Sequence, residues 1–355
     1  QTRSGASAAG GTMSENGGAY GQQLLAFVTL VAVQSTAILL FKLCQVNGKY
    51  NFSPASSVAL TEICKLALAV ALHLYSLKGD TKRFFEGVSS RMVAHYFGLS
   101  AMYTINNQMS FYVLIVADPG SLALGKSVAP YLCALLLQMT GQLINKLQWV
   151  CVIIQCCAIA IIQYDTCKNR GVLSERAYIL IAVSTTITAL TSVWNQLVIK
   201  GFDVPVNLQN AIMYLFGSLI AIGFFFHSRS TDPGDQKGFF EGYEALAMLL
   251  VLFQAFHGIA VAFVYKYADA IVKNFAASSV VALLFVISAY FFAQPTNLHS
   301  WCGIVIVLVT TYCYMNIALK MNAPAPAAIS EKARLLEEAP VADVGESETK
   351  DAGKP

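Results

Sequence analysis

The chain has 355 residues, of which 56% are hydrophobic and only 12% charged. A soluble domain carries about a quarter of its residues as charges, and one this apolar would expose large greasy patches and aggregate. The net charge of +3 is the small difference between 23 cations and 20 anions, and no basic patch argues for nucleic acid as a partner.

The chain opens on a small, polar stretch, Gln1–Gly11, and residues 1–21 are expected to form a disordered N-terminal segment. Met13-Ser14-Glu15 reads as a native start, which leaves residues 1–12 extraneous to it. No cleavable signal peptide is evident, so the first apolar span is expected to act as an uncleaved signal anchor. Breaks at charged or Gly/Pro/Asn-rich points then mark ten spans, at 22–44, 54–77, 93–116, 119–141, 148–165, 176–199, 209–227, 244–266, 273–294 and 299–319. Their lengths match the roughly 20 residues that cross a bilayer core. Lipid offers no partner to backbone N–H and C=O groups, so each span must be a helix. The expected fold is therefore an all-α polytopic membrane protein, with ten transmembrane helices over residues 22–319. The tail, 320–355, is rich in Ala, Pro and Glu, too poor in apolar side chains to pack, and expected to be disordered.

Ten spans place both termini on one side. If that side is cytosolic, its loops and span ends hold eight Lys or Arg against six in the opposite loops, which favours cytosolic termini under the positive-inside rule. The nine cysteines lie almost all in or beside apolar runs, where the thiol behaves as a small hydrophobe. There is no CxxC or Cys/His spacing to suggest a metal or a disulfide. A duplication is visible: Val116-Ala117-Asp118 and Tyr267-Ala268-Asp269 each precede a lysine (Lys126, Lys273) and then an Ala-Leu-Leu. Five-plus-five inverted repeats are a transporter plan, with the substrate at the repeat interface.

Polar groups inside spans are expensive and therefore functional candidates. The third span carries Tyr103 and then Asn106-Asn107-Gln108. Three consecutive amides project about 100° apart and cannot all face lipid. They either hydrogen-bond neighbouring helices or line a polar cavity, where amides offer the donors and acceptors that suit a nucleobase edge and a ribose. Lys65 follows Glu62 at i, i+3, a spacing that permits an ion pair. Lys126 and Lys273 lie within the span regions, where an ammonium needs an anionic partner or water; a ligand phosphate would serve. Snorkelling to the interface is the rival reading, stronger for Lys266 and Lys273. Asn210, Tyr214 and Gly217 share one helix face at i, i+4, i+7, the first two as cavity candidates and the glycine as a close-packing site. His257, at mid-depth of the eighth span, reads as a satisfied structural group rather than a proton relay. Gly-rich phosphate loops, HExxH and GxSxG are all absent from the sequence, so neither an enzyme nor a cofactor is expected.

At these residues the sequence resembles the Golgi nucleotide-sugar transporters of the CMP-sialate, UDP-galactose and UDP-N-acetylglucosamine group, within the drug/metabolite transporter superfamily. The similarity covers roughly residues 24–319 and is carried by Glu62-Ile-Cys-Lys65, Tyr103 with the amide triplet and Asp118, and Gln209-Asn210 with Tyr214 and Gly217. Its most specific part is Lys266-Tyr267-Ala-Asp269-Ala-Ile-Val-Lys273-Asn-Phe275, close to the family's KYxDxIxKxF. Ser192–Lys200 looks like the family's sixth-span ending, with Gln196 where the family usually has glutamate.

The resemblance implies ten helices in an inverted repeat and antiport of a nucleotide sugar against the nucleoside monophosphate in a Golgi membrane, or in another endomembrane such as an endolysosomal or plastid-associated one. By the matching motifs, Tyr103, Asn107, Gln108, Asn210 and Tyr214 would hold nucleoside and sugar, and Lys273 a phosphate; Lys65, Asn106 and Lys126 complete the candidate site. Three departures are visible. The family's Gln-Asn-Asn is Asn106-Asn107-Gln108; its span-four lysine falls on Ala129, one turn after Lys126; its Gly-Gly is His257-Gly258. Two alternatives stay open: a transporter of other phosphorylated or organic anions, and a transport-inactive relative serving as a structural membrane subunit. Beyond the bilayer and the substrates, two partners are entertained, a second copy of the chain in a homodimer and a vesicle-coat adaptor reading the acidic dileucine pattern Glu331, Leu335, Leu336. Asn51-Phe52-Ser53 matches the glycosylation sequon but is expected to stay unmodified between two closely spaced spans.

Overall fold

The computed structural model describes residues 5–46, 49–78, 80–117, 119–162, 174–231, 237–291 and 297–322. Among them the chain is nearly all helix: α1 (Gly5–Leu43), α2 (Pro54–Ser76), α3 (Ser90–Val116), α4 (Pro119–Lys126), α5 (Ala129–Met139), α6 (Lys146–Ile162), α7 (Glu175–Gly201), α8 (Val206–Thr231), α9 (Ala245–Tyr267), α10 (Ala270–Phe291) and α11 (Leu298–Asn322). One short hairpin, β1 (Gln45–Val46) with β2 (Lys49–Tyr50), joins α1 to α2 by antiparallel pairing of Gln45 with Tyr50.

Seven of these helices contain a stretch long and apolar enough to cross a membrane, in α1, α2, α7, α8, α9, α10 and α11. Leu124–Met139 and Lys146–Ile162 are apolar but shorter. Helix α3 is long enough, at 27 residues, but carries the amide triplet Asn106-Asn107-Gln108, which lowers its hydropathy. The molecule is thus an all-α polytopic membrane protein. Helix α1 begins at Gly5, and its apolar part begins at Gly21. The tail after Asn322, with Glu331, Leu335 and Leu336, lies outside the described residues.

Helix ends follow local chemistry. Ser89 and Ser174 cap α3 and α7, each side-chain hydroxyl accepting from a backbone N–H at 3.3 Å, from Met92 and Ala177 respectively. Pro54 starts α2 at the first-turn position, where its missing N–H is no loss. Pro130 does the opposite to the fourth apolar run. Its ring would clash with the carbonyl four residues back, that of Lys126, and it offers no N–H to it. The run therefore breaks into α4 and α5 at Ser127–Val128, with tight turn bonds from Ser127 N to Leu124 O (3.1 Å) and from Val128 N to Gly125 O (3.3 Å).

The main packing partners are α2 with α8, α1 with α9, α6 with α11, α3 with α7 and α8, α5 with α7, and α1 with α10. Helices α1 and α9 run antiparallel: Leu40 and Cys44 cluster with Ala247 and Leu250, whereas Ala26 and Leu30 share a cluster with Ala260 and Val264. The α1–α2 connection is fastened to the segment before α9. Phe52 stacks on Tyr243 (5.2 Å, 24°), the Ser56 and Tyr243 hydroxyls lie 2.9 Å apart, and Lys237 donates to the Tyr50 carbonyl at 2.7 Å. Gly242, at φ +77°, lies so close to the Asn51 carbonyl that no side chain fits between them.

This fastening buries Phe52 and Ser53, two of the three sequon residues, at 3% and 0% exposure. Asn51 is therefore expected to carry no glycan. In a cell expressing the full chain, glycosidase treatment and Asn51→Gln should both leave gel mobility unchanged; a shift abolished by the substitution would show that the sequon is reached before these residues pack.

Candidate functional site

One cavity of about 830 Å³ opens among the helices, a size that accommodates a ligand of several hundred daltons. Eight of the nine candidate residues have described side chains, and seven of these line it: Lys65 from α2, Tyr103, Asn106 and Asn107 from α3, Lys126 from α4, Tyr214 from α8 and Lys273 from α10. Among the described residues, the lining carries three lysines against one carboxylate, Glu62.

The single carboxylate is already engaged. Lys65 Nζ lies 2.7 Å from Glu62 Oε1 on the same helix and 5.4 Å from the centre of the Tyr214 ring. Two glycines make room for this pair. A methyl group on Gly258 would meet Lys65 Cε at 2.7 Å and the Tyr214 hydroxyl at 3.1 Å, and one on Gly217 would meet Glu62 Oε2 at 2.9 Å. Gly217 thus serves the cavity wall as well as helix packing, and Gly258 is a requirement that spacing alone does not reveal.

The amides of α3 do two things at once. Thr188 of α7 donates to Asn106 Oδ1 at 3.1 Å, and Asn195 of α7 donates through Nδ2 to the Tyr103 hydroxyl at 3.0 Å. Helix–helix bonding and cavity lining are alternatives in the sequence; here Asn106 and Tyr103 satisfy both, because α7 forms the wall behind them. Asn107 lines the cavity from the same helix. The Gln108 side chain lies outside the described residues.

Lys126 and Lys273 approach from the two repeat-like segments. Lys126 ends α4, at the break enforced by Pro130, and Lys273 sits in the first turn of α10. Both line the same cavity. Asp269 does not neutralise Lys273 through an ion pair: among the described residues no carboxylate forms a salt bridge with Lys273. Instead Asp269 Oδ1 accepts from Val272 N at 2.7 Å as the cap of α10, and Tyr314 donates to Oδ2 at 3.2 Å. Gln196 of α7 accepts from Ala270 N at 2.6 Å, and Lys200 donates to the Ala268 carbonyl. The motif around Lys273 is thus a holder for the helix start that carries the lysine. Lys266 is exposed, with its ammonium 5.7 Å from the Tyr267 ring centre, and is not part of the lining.

Asn210 is not among the lining residues: it is wholly buried, and neither side-chain amide atom has a hydrogen-bond partner among the described residues. The cavity reaches α8 only from Met213 onward, so Asn210, nearly a full turn before it, falls among the residues that pack α8 into the bundle. His257, expected to be a satisfied structural group, lines the cavity and makes no hydrogen bond to a described residue. Thr188, Asn195, Gln254, Tyr265, Asn274 and Ser278 also line it and escape a reading of the sequence, because a lone polar side chain on an apolar helix carries no sign of the direction it faces. The capping role of Asp269 gives a direct test. Removing an N-cap acceptor costs about 1 kcal/mol, so Asp269→Ala should lower the thermal unfolding midpoint of the detergent-purified chain, whereas Asp269→Asn, which keeps the acceptor, should lower it less. Equal midpoints for Asp269→Ala and the parent would rule out the capping role.

The family model described as "Nucleotide-sugar transporter" matches residues 21–315. A protein of Oryza sativa subsp. indica named CMP-sialic acid transporter 3 is 27% identical over 303 residues, covering 81% of this chain and 75% of its own length. CMP-sialic acid transporter 2 of Arabidopsis thaliana is 26% identical over 306 residues, covering 81% and 73%. A Danio rerio protein named probable UDP-sugar transporter protein SLC35A4 is 26% identical over 272 residues, covering 75% and 84%. A crystal structure with a TM-score of 0.64 and 16% identity, covering 84% of this chain and 98% of its own, shares the fold. With its matched residues running from the first spanning segment to the last, the chain belongs to the nucleotide-sugar transporter family.

Proposed function

We propose that the protein exchanges a nucleotide sugar for a nucleoside monophosphate across an endomembrane, and that the cavity is the substrate site. The observation that carries this reading is the charge balance of the lining among the described residues: three lysines, one carboxylate, and that carboxylate paired with Lys65. Lys126 and Lys273 line the same cavity; an ammonium held away from bulk water is costly, and a phosphate between the two would be held by charge-assisted hydrogen bonds. Tyr103, Asn106, Asn107 and Tyr214 would hold the nucleoside, their amides and phenols offering the paired donors and acceptors that a base edge and a ribose require. Exchange follows from the same balance. A cavity that holds its cations at a cost reorients most readily when loaded, so one anion leaving is matched by one entering.

Ten spans in a five-plus-five inverted repeat are part of this proposal, with α4 and α5 together as the fourth span. The packing partners support it. If α1 to α6 form one repeat and α7 to α11 the other, the contact of α1 with α9 mirrors that of α7 with α3, and α1 with α10 mirrors α7 with α5. The pairs α2 with α8 and α6 with α11 then map onto themselves. A Golgi membrane with cytosolic termini is proposed from the family resemblance and the loop charges. A second reading, transport of another phosphorylated or organic anion, is favoured by one observation: Ala129, where the family's lysine falls, lines the cavity together with Lys126 and gives it a different charge layout.

Two outcomes test these proposals. In proteoliposomes loaded with CMP, UMP, GMP or AMP, the parent chain should take up a nucleotide sugar of one matching base. Lys273→Ala should lower that uptake on the order of 100-fold at unchanged expression; unchanged exchange kinetics would sink the phosphate role, and uptake of only unrelated anions would favour the second reading. For the address, Leu335→Ala with Leu336→Ala should redistribute the protein among endomembranes if adaptors read the tail. Identical localisation of the double variant would reduce Glu331, Leu335 and Leu336 to a solvated terminus.

A further inference from the structure

The lysines stand on α2, α4 and α10, whereas the wall formed by α1 and α9 contributes no Lys, Arg, Asp or Glu to the described lining. What it contributes is neutral and polar: Gln34 from α1, and Gln254 and His257 from α9. The antiparallel course of α1 and α9, with Leu40 near Leu250 and Leu30 near Ala260, brings Gln34 to the depth of Gln254 and His257. Gln254 and His257 lie one turn apart on the helix face that also presents Gly258, Val261 and Tyr265 to the cavity. All three polar side chains are half-buried, and none makes a hydrogen bond to a described residue. This sets them apart from Lys65, Tyr103 and Asn106, which are held by Glu62, Asn195 and Thr188. Two carboxamides and an imidazole facing a cavity without partners leave several donors and acceptors for a ligand, and desolvating them unpaired is unfavourable.

We infer that Gln34, Gln254 and His257 form a neutral subsite that takes the hydroxylated sugar moiety of the ligand, beside the lysines that take its phosphate. This rests on the proposed nucleotide-sugar reading. The wall suits hydroxyl and carbonyl oxygens, which both donate and accept or only accept; it contributes no ammonium or guanidinium of its own, and Lys65, which packs beside Gly258, is paired with Glu62. His257 makes this the specificity-determining wall: its ring fills space beside Gly258, so the sugar it admits is set by both shape and hydrogen bonding.

The test compares sugar-bearing and sugar-free ligands of one base on the full chain purified in detergent. Dissociation constants are measured for CMP-sialate against CMP, for UDP-galactose and UDP-N-acetylglucosamine against UDP, with the parent and with Gln34→Ala, Gln254→Ala and His257→Ala. The subsite predicts that each substitution weakens the sugar-bearing ligand roughly three- to tenfold and leaves the sugar-free one within about twofold, the loss expected for one or two neutral hydrogen bonds. Retained affinity for the sugar-free ligand also shows that the variant is folded. His257→Asn, which keeps a donor and an acceptor, should recover part of the loss. Variants that weaken both ligands equally, or neither, overturn the subsite while leaving the transport reading intact. A parent chain that binds none of these ligands overturns the transport reading and the subsite with it.

Discussion

Three lysines lining one cavity within a membrane bundle set the terms for the rest of this molecule. Removing an ion from water costs several kcal/mol even after relaxation, and a second like charge nearby adds to it. The protein supplies one carboxylate to the described cavity lining, Glu62, and commits it to Lys65 at 2.7 Å. Lys273, with which no described carboxylate forms a salt bridge, therefore requires a polar cavity, which in turn requires that the surrounding helices present amides and phenols inward and hydrocarbon outward. Asn106, Asn107, Tyr103 and Asn195 do so from α3 and α7.

Both lysines sit where a helix begins or ends, and each location has a local cause. Pro130 cannot accept the helix geometry that would bond its backbone to the Lys126 carbonyl, so the run opens at Ser127–Val128 and Lys126 ends a short helix. On the other side, Asp269, Gln196 and Tyr314 fix the first turn of α10 on which Lys273 stands. The clustering of irregular backbone around the cavity follows a general rule, that broken helices inside a membrane are tolerated where protein or water satisfies the freed groups. It also accounts for how Lys126 reaches the cavity from a turn earlier than the family's lysine. Ala129 and Lys126 flank the break, and both line the same space.

Most of the fold is legible because it is written in hydropathy. Long neutral stretches leave no alternative to helices, and the expected spans from 54 onward fall on described helices to within a few residues at most ends. Lys65, Tyr103, Lys126 and Lys273 stand out as site candidates because a charge or a cluster of amides in an apolar span is too costly to leave facing lipid. What escapes is anything that depends on how a helix is rotated or on contacts distant in sequence. Asn210 shares a face with Tyr214 by spacing, yet the cavity stops short of it. Asp269 has the spacing of a charge partner for Lys273 and proves to be a helix cap, a role visible in its place three residues before Val272. Gln196 reaches Ala270 across 74 positions, which no local pattern records. His257 reads as structural from sequence because its surroundings, not its own identity, decide whether an imidazole faces a cavity.

The proposed exchange turns on whether Lys126 and Lys273 together hold the ligand's phosphate. The most direct measurement is an experimental structure of the purified chain with bound CMP or UMP, at a resolution that places the phosphorus atom. The expected result is phosphate oxygens at about 2.7–2.9 Å from both ammonium nitrogens, with Glu62 still paired to Lys65. A phosphate bound elsewhere, or held by Lys65 after Glu62 has swung away while Lys126 and Lys273 stay apart from it, would contradict it.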